Sequence, residues 1–278
     1  MNTPIFPADA DAGMQRAVLA ARQSFPVLWR EMTWEYRRIV PGLSIAVVKA
    51  PFSDTPDPFT ADDREHMWLN ELSFDGVTIE GTLLNAPNSL TSVQQGQRVE
   101  TNPETLTDWM YGVVTEKEVC GAFSINHMRA AMNDQERAEH DAAWPVEFGD
   151  PTEVRFVPSS YLPAKKSRAL GGMFGAKKPA NQQLDEVMAQ EHPMALNMIE
   201  KLKEAISEPA QVMVPDENGV NFLHSMTLGG AASAVDYLMQ VGADASVATN
   251  HGLTPYRIAE RMGWRSVIAV LRRHGVMT

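Results

Sequence analysis

Residues 1–160 alternate between helical and strand-like hydrophobic patterns. Apolar residues recur every three or four positions over residues 10–38, which predicts a helix, and Pro26 predicts a break or kink within it. Strands are predicted at 43–50, 66–74, 77–84 and 97–101, and the Asp75-Gly76 pair is typical of a hairpin turn. Residues 105–111 are predicted to be helical or irregular, and 125–139 to be helical. This pattern predicts an α+β domain with an antiparallel sheet.

The pattern changes after residue 160. Residues 162–183 hold three glycines, two prolines and five basic residues with little periodicity, which is typical of a flexible linker. A helical period returns over 185–207, and His192-Pro193 is expected to divide it into two helices. We therefore predict three parts: an acidic α+β domain at 1–160, a flexible linker at 161–184 and a helical domain at 185–278.

A repeat lies near the end of the chain, where Gly219, Gly230, Leu238 and Gly242 recur at one constant spacing as Gly252, Gly263, Leu271 and Gly275. The pattern resembles ankyrin repeats, with Leu223-His224 in one unit and Thr254-Pro255 in the other. Asn221-Phe222 and Tyr256-Arg257 depart from it. The resemblance implies an all-α ankyrin-repeat domain that binds proteins. Because two units bury little surface, we expect residues 194–207 to act as a partial repeat, or the array to dock on the N-terminal domain.

The charge is concentrated in the N-terminal part. The chain has a formal net charge of −11, and residues 1–160 hold 24 Asp and Glu against 12 Lys and Arg. Such a field disfavours nucleic acid and anionic membranes, and it favours a basic protein partner. One cysteine suits a reducing compartment. Since neither a signal-peptide pattern nor an apolar run of membrane-spanning length is present, we expect a cytoplasmic protein without a membrane partner.

The only cysteine, Cys120, lies seven residues before His127, so a Cys/His enzyme is one alternative. Nearby Glu116 and Glu118 would disfavour a thiolate, and the apolar neighbours of Cys120 are typical of a core. Residues 62–66 gather possible metal ligands, but no second His or Cys follows at a recognisable spacing. Phosphate-binding, dinucleotide and serine-hydrolase motifs are absent from the sequence. We therefore predict no catalytic residue, no metal and no cofactor.

Five short stretches resemble a bacterial domain family of unknown function, and they lie at 65–69, 81–87, 96–99, 108–111 and 121–124. The resemblance covers about residues 40–135, and Gln97 stands where the family commonly has Asp. Followed by ankyrin repeats, this domain is similar to immunity proteins that neutralise nuclease effectors of type VI secretion. That resemblance implies a cytoplasmic protein that binds a cognate toxin, with the acidic domain covering a basic active-site cleft.

The predicted partner-binding residues are acidic side chains of the first domain and polar or aromatic residues of the second: Asp62, Asp63, Glu65, Glu116, Glu118, Asn218, His251, Tyr256 and Trp264. A general protein-interaction scaffold without a toxin partner is the other alternative to immunity.

Overall fold

The computed structural model describes residues 11–55, 64–162, 180–206, 208, 210 and 213–277. The chain forms two compact units. The sheet unit comprises Met1–Phe25 and Gly42–Arg155, and the repeat unit comprises Pro26–Pro41 and Phe156–Thr278. The division at residues 160 and 184 into separate domains stays a prediction. Most of the predicted linker lies outside the described residues, but its last positions belong to a helix that starts at Ala180.

The sheet unit is built on an antiparallel sheet, as predicted. Its strand order is β4-β3-β2-β1-β5-β6, and every neighbouring pair is antiparallel. The strands are β1 (Leu43–Phe52), β2 (Glu65–Phe74), β3 (Ile79–Leu83), β4 (Arg98–Thr101), β5 (Asp108–Val113) and β6 (Cys120–Gly121). The predicted hairpin is present, because Phe74 pairs with Ile79 across the Asp75-Gly76 turn.

Helices cover both faces of this sheet. On β5, Trp109 donates a hydrogen bond from Nε1 to the carbonyl of Ala21 in α1 (Ala12–Glu35), at 2.9 Å. The next residue, Met110, belongs instead to a core with Val47 and with Ile125 of α2 (Phe123–Ala131). Since successive strand residues point to opposite faces, α1 and α2 lie on opposite sides of the sheet.

Two local predictions for the N-terminal part of the chain were wrong, and a third was wrong in part. Helix α1 continues through Pro26, because the missing N–H removes one helical hydrogen bond while both flanking turns remain; the predicted break is therefore absent, and the kink stays a prediction. Residues 108–113 form β5 and not a helical or irregular segment; the strand is buried throughout, so it lacks the alternation that marks a half-exposed strand. The predicted helix at 125–139 is two helices, because Asn133 begins α3 (Asp134–Ala142) in a capping box with Glu136.

The repeat unit contains two helix–turn–helix pairs at the predicted period. The pairs are α6 (Phe222–Leu228) with α7 (Ala232–Gln240), and α8 (Pro255–Met262) with α9 (Arg265–Arg273). Their first helices begin at Phe222 and Pro255, which have the same spacing as Gly219 and Gly252. Asn221 takes the place of the capping threonine, because its side chain accepts a hydrogen bond from the N–H of His224 at 3.0 Å.

Two further helices precede these pairs. They are α4 (Ala180–Met188) and α5 (Pro193–Ala205), divided at His192-Pro193 as predicted. Helix α5 packs against α7, and the hydroxyl of Tyr237 donates a hydrogen bond to the carbonyl of Ile206. Helix α5 therefore extends the stack of helices, which is the role of a partial repeat that the sequence predicted.

Candidate functional site

The cysteine and the histidine that suggested an enzyme have separate structural roles. Cys120 is fully buried on β6, where it pairs with Tyr111 of β5. His127 lies on α2, and its Nε2 contacts the carboxylate of Asp11. The hydrogen bond from the N–H of Gly13 and the contact with His127 lower the pKa of Asp11. The imidazole is thus engaged by a carboxylate, and the thiol is enclosed in the core.

A second carboxylate, the buried Asp108, holds the start of α2. Its oxygens accept hydrogen bonds from the N–H groups of Trp109, Phe123 and Ser124 at 2.8–2.9 Å, and from the Ser124 hydroxyl at 2.6 Å. Burial raises the pKa of Asp108, while these hydrogen bonds and the charge of Lys49 act in the opposite direction. Asp108 replaces a side-chain cap that Ala122, the residue at the N-cap position, cannot provide.

Gly121 completes the same corner of the sheet. Its φ of 84° lies in the left-handed region, and a Cβ there would approach the ring of Trp109 to 2.6 Å. Trp109 in turn stacks on Tyr111 and meets Phe123 edge-on. The stretches 108–111 and 121–124 carry part of the family resemblance, and they therefore pack against each other at the start of α2.

Glu65, a predicted partner-binding residue, is buried with only 7% of its surface exposed. Its carboxylate accepts hydrogen bonds from the N–H groups of Asn88, Ser89 and Leu90 and from the Ser89 hydroxyl. Burial acts to raise the pKa of Glu65, but these hydrogen bonds outweigh it and the pKa is lowered. The expectation of a surface position was wrong, because the carboxylate is used to hold the 88–90 loop.

Glu116 and Glu118 lie on the turn before β6, half-buried, and both contact the guanidinium of Arg155. The backbones of Glu118 and Glu147 pair in an isolated parallel β-bridge. The Lys117 ammonium lies 3.3 Å from the Glu147 carboxylate. The turn that holds both predicted residues is therefore next to the chain around Glu147.

The chain around Glu147 belongs to the acidic segment, residues 134–153, which comprises α3 and the loop after it. It holds seven Asp and Glu against one Arg. None of the residues of α3 is buried. Glu116 and Glu118 lie beside this segment, because Glu118 pairs with Glu147.

Arg129 fixes this segment to α2. Its guanidinium is buried and binds both carboxylate oxygens of Asp141 at 2.8 and 2.6 Å, and it also donates to the carbonyl of Gly149 at 3.0 Å. It stacks over the ring of Phe148, 5.1 Å from the centroid. Such a bidentate pair sets the orientation of both groups, so the acidic segment has a defined position on the sheet unit.

The predicted residues of the repeat unit divide into two loop residues, half-buried Asn218 and exposed His251, and two buried aromatics. Asn218 accepts a hydrogen bond at its carbonyl from the N–H of Asn250, and the Asn250 side chain donates to the carbonyl of Glu217. Consecutive tips are therefore bonded to one another. His251 is exposed beside them.

Tyr256 and Trp264 are each 1% exposed, so their expected surface position was wrong. The Trp264 indole donates to the carbonyl of Leu228, and its ring leaves no space for a Cβ on Gly230. The Tyr256 hydroxyl accepts hydrogen bonds from Arg272. Tyr256 thus joins α8 to α9, and Trp264 joins the turn before α9 to the end of α6. Asp62 and Asp63 lie outside the described residues.

A buried ionisable cluster that the sequence did not predict lies in the repeat unit. The Nδ1 atom of His192 accepts the N–H of Met194 at 3.0 Å, so Nε2 carries the proton and donates it to Glu31 at 2.9 Å. Tyr161 and Arg38 also donate to Glu31. Burial lowers the pKa of His192, and Glu31 acts against this. Both ring nitrogens of His192 take part in hydrogen bonds, so neither is available as a general base.

Candidate metal ligands do not cluster in the part of the chain that the structure describes. Within those ranges, no three His, Cys, Asp or Glu residues come together in a way that could hold a metal ion. No helix in the same ranges combines the length and the apolar character needed to cross a membrane.

Comparisons with known proteins place the chain among bacterial relatives. Residues 11–148 match the family "Uncharacterized protein conserved in bacteria (DUF2314)". A protein of Neisseria meningitidis serogroup B, named "Putative ankyrin repeat protein", is 34% identical over 267 residues, which are 95% of each chain. The chain belongs to the family of this Neisseria protein. The uncharacterized protein YegJ of Escherichia coli is 27% identical over 92 residues, which cover 33% of this chain and 55% of YegJ.

Sequence reasoning missed the acidic segment as a surface, although its signals were present. A count of charges over residues 1–160 averages the segment with its surroundings, whereas a short window isolates it. The Asn133 capping box, which begins a helix with no buried residues, is the second signal. The Glu31–His192 pair joins residues 161 positions apart, and no local pattern could have revealed it.

Proposed function

We propose that this protein acts by binding another protein, and that the sheet unit presents the acidic segment to a basic partner. The observation that carries this proposal is the segment itself: seven carboxylates on residues 134–153, one of which, Asp141, holds the segment in place by pairing with buried Arg129. Complementary charge of this kind speeds association and selects the partner. The name of the Neisseria relative also supports an interaction role, because ankyrin repeats commonly bind proteins.

The partner we propose is a cognate bacterial toxin, and specifically a nuclease effector of type VI secretion. A nuclease presents a basic cleft to its nucleic acid substrate, and an acidic surface would occupy that cleft in place of the phosphates. The support for this finer step is the resemblance to immunity proteins together with the charge of residues 1–160. The protein would then protect its own cell from the cytoplasm, without converting any substrate.

The experiment measures binding of the full chain to the purified protein encoded next to it, by isothermal titration calorimetry at several salt concentrations. The test variant combines Asp134→Asn, Glu139→Gln and Glu147→Gln, which spare the Asp141 anchor and the Glu136 cap. The control combines Glu80→Gln, Glu100→Gln and Glu104→Gln on or beside β3 and β4, with the same change in net charge.

We expect the test variant to bind about tenfold more weakly at low salt, since three exposed ion pairs contribute about 1–2 kcal/mol together. The control variant should bind like the wild type. An unchanged affinity in the test variant, or an affinity that does not depend on salt, would contradict the proposed surface. Equal weakening in both variants would show that net charge matters and that the segment does not. A separate assay tests whether the partner is a nuclease toxin. It measures whether the full chain inhibits nuclease activity of the protein encoded next to it.

A further inference from the structure

Polar groups meet at one end of the sheet, where β1 ends and β2 and β5 begin. Lys49 of β1 pairs in register with Trp68 of β2 on one side and with Asp108 of β5 on the other. Directly paired residues of antiparallel strands point to the same face. His66 is two positions before Trp68 and shares that face. Lys49, His66 and Trp68 thus lie together on the face that also carries Asp108.

The ammonium of Lys49 lies over the ring of Trp68, 5.5 Å from the centroid. Burial lowers the pKa of Lys49, and the charge of Asp108 opposes this. The carboxylate of Asp108 accepts hydrogen bonds from Trp109, Phe123 and Ser124, and it acts on Lys49 through its charge. Among the described residues, no acceptor lies within hydrogen-bonding distance of the ammonium. The three donors of this half-buried ammonium are therefore open to acceptors from outside the protein, either water or a ligand.

The imidazole of His66 offers a hydrogen-bond acceptor, whereas the Lys49 ammonium offers donors. With the hydroxyl proton of Thr107 on the carbonyl of Lys49 at 3.2 Å, its oxygen accepts the hydrogen bond from His66 Nδ1 at 3.2 Å, and we adopt this tautomer. Nδ1 therefore carries the ring proton, and Nε2 presents a lone pair. Burial lowers the pKa of His66 to about 4, with contributions from Lys49 and Arg64, so the ring is neutral at pH 7. Within the described part of the chain, Nε2 has no hydrogen-bond partner.

We propose that this end of the sheet is a binding site for a phosphate group that carries a proton. An unprotonated phosphate oxygen accepts hydrogen bonds from the Lys49 ammonium, and the phosphate O–H donates to Nε2 of His66. Trp68 forms the apolar floor of the site. A fully deprotonated oxyanion such as sulfate satisfies Lys49 equally well, but it turns a lone pair toward the lone pair of Nε2. The pair of side chains therefore selects hydrogen phosphate over sulfate. This inference concerns a small ligand and is independent of the proposed protein partner.

The experiment follows the His66 ring by NMR in the full chain with labelled histidine at pH 7. Inorganic phosphate is titrated in one series and sulfate in another at matched ionic strength. We expect a saturable shift of the His66 resonances with phosphate and binding at least about tenfold weaker for sulfate, as the loss of one hydrogen bond and its replacement by repulsion implies. Lys49→Met should abolish the shift. Lys117→Met, which changes an exposed lysine, should leave it unchanged.

Several results would overturn the proposal. These are an absence of saturable shift in the wild type, equal affinity for the two anions, or phosphate binding that survives Lys49→Met. The ring nitrogen spectrum provides an additional check, since a proton on Nε2 in the free protein would contradict the assigned tautomer. Should Lys49→Met fail to fold, the comparison of phosphate with sulfate on the wild type decides the question alone.

Discussion

Replacing Asp108 by alanine should strongly destabilise the sheet unit, because this one carboxylate satisfies the first turn of α2. The substitution leaves the N–H groups of Phe123 and Ser124, which donate at 2.9 and 2.8 Å, without an acceptor in the core. Each buried unsatisfied donor costs about 1–3 kcal/mol. The cost of burying the carboxylate, which raises its pKa, is recovered and offsets part of the loss. We therefore expect a net loss of about 3 kcal/mol in the free energy of unfolding.

Urea unfolding followed by tryptophan fluorescence gives this loss, provided that the slope with denaturant is unchanged. Amide hydrogen exchange at Phe123 and Ser124 locates it, because these N–H groups should lose protection first. Asp108→Asn retains one carbonyl oxygen and should cost less than alanine. Asp134→Ala is the control, since its side chain is fully exposed and the change should stay within about 0.5 kcal/mol. A loss below about 1 kcal/mol for Asp108→Ala would refute the idea that α2 depends on this carboxylate.

Three other substitutions follow from the same contacts. Gly121→Ala should destabilise the sheet unit by more than about 2 kcal/mol in urea unfolding, because its φ is 84° and the new Cβ meets the Trp109 ring; an alanine variant as stable as wild type would contradict this. Trp264→Phe should cost about 1 kcal/mol through the lost hydrogen bond to Leu228, measured by the same method. For His66, the folded pKa of about 4 is below the ordinary 6.5. The neutral ring therefore contributes stability that is complete above pH 6.5 and falls by up to about 3 kcal/mol as the pH drops toward 4. His66→Gln should remove this part of the pH dependence, and identical pH profiles for both proteins would refute the assignment.

Local sequence patterns predicted those elements whose signals are themselves local. The β2–β3 hairpin follows from Asp75-Gly76 between two strand-like runs, and the turn residue Asp75 accepts the N–H groups of Val77 and Thr78. The two helix pairs follow from the period of the repeat, in which glycines and caps occupy fixed positions. In each case a few neighbouring residues determine the backbone, so one sequence is sufficient.

Positions determined by distant packing were not predictable in this way. Strand β5 is buried on both faces by α1 and α2, and its composition alone resembles other apolar segments. Glu65 looked like a surface carboxylate because nothing near it in sequence reveals the 88–90 loop that it binds, 23 to 25 residues away. Tyr256 lies near an exposed loop tip in sequence, yet it points into the array toward α9. Burial of these side chains is a tertiary property, and residue type does not determine it.

The contacts of the ionisable groups also bear on the choice between an enzyme and a binding protein. A catalytic thiol or imidazole must reach a substrate, but Cys120 is fully buried and His192 uses both ring nitrogens within the repeat unit. His224 does the same, with Nδ1 accepting from Asn221 and Nε2 donating to the carbonyl of Val247. These groups stabilise the fold, whereas Asp134, Glu139 and Glu147 of the acidic segment are exposed to solvent. An acidic surface of this kind acts by attracting a basic partner. A binding measurement at several salt concentrations therefore tests the proposed function more directly than a survey of substrates does.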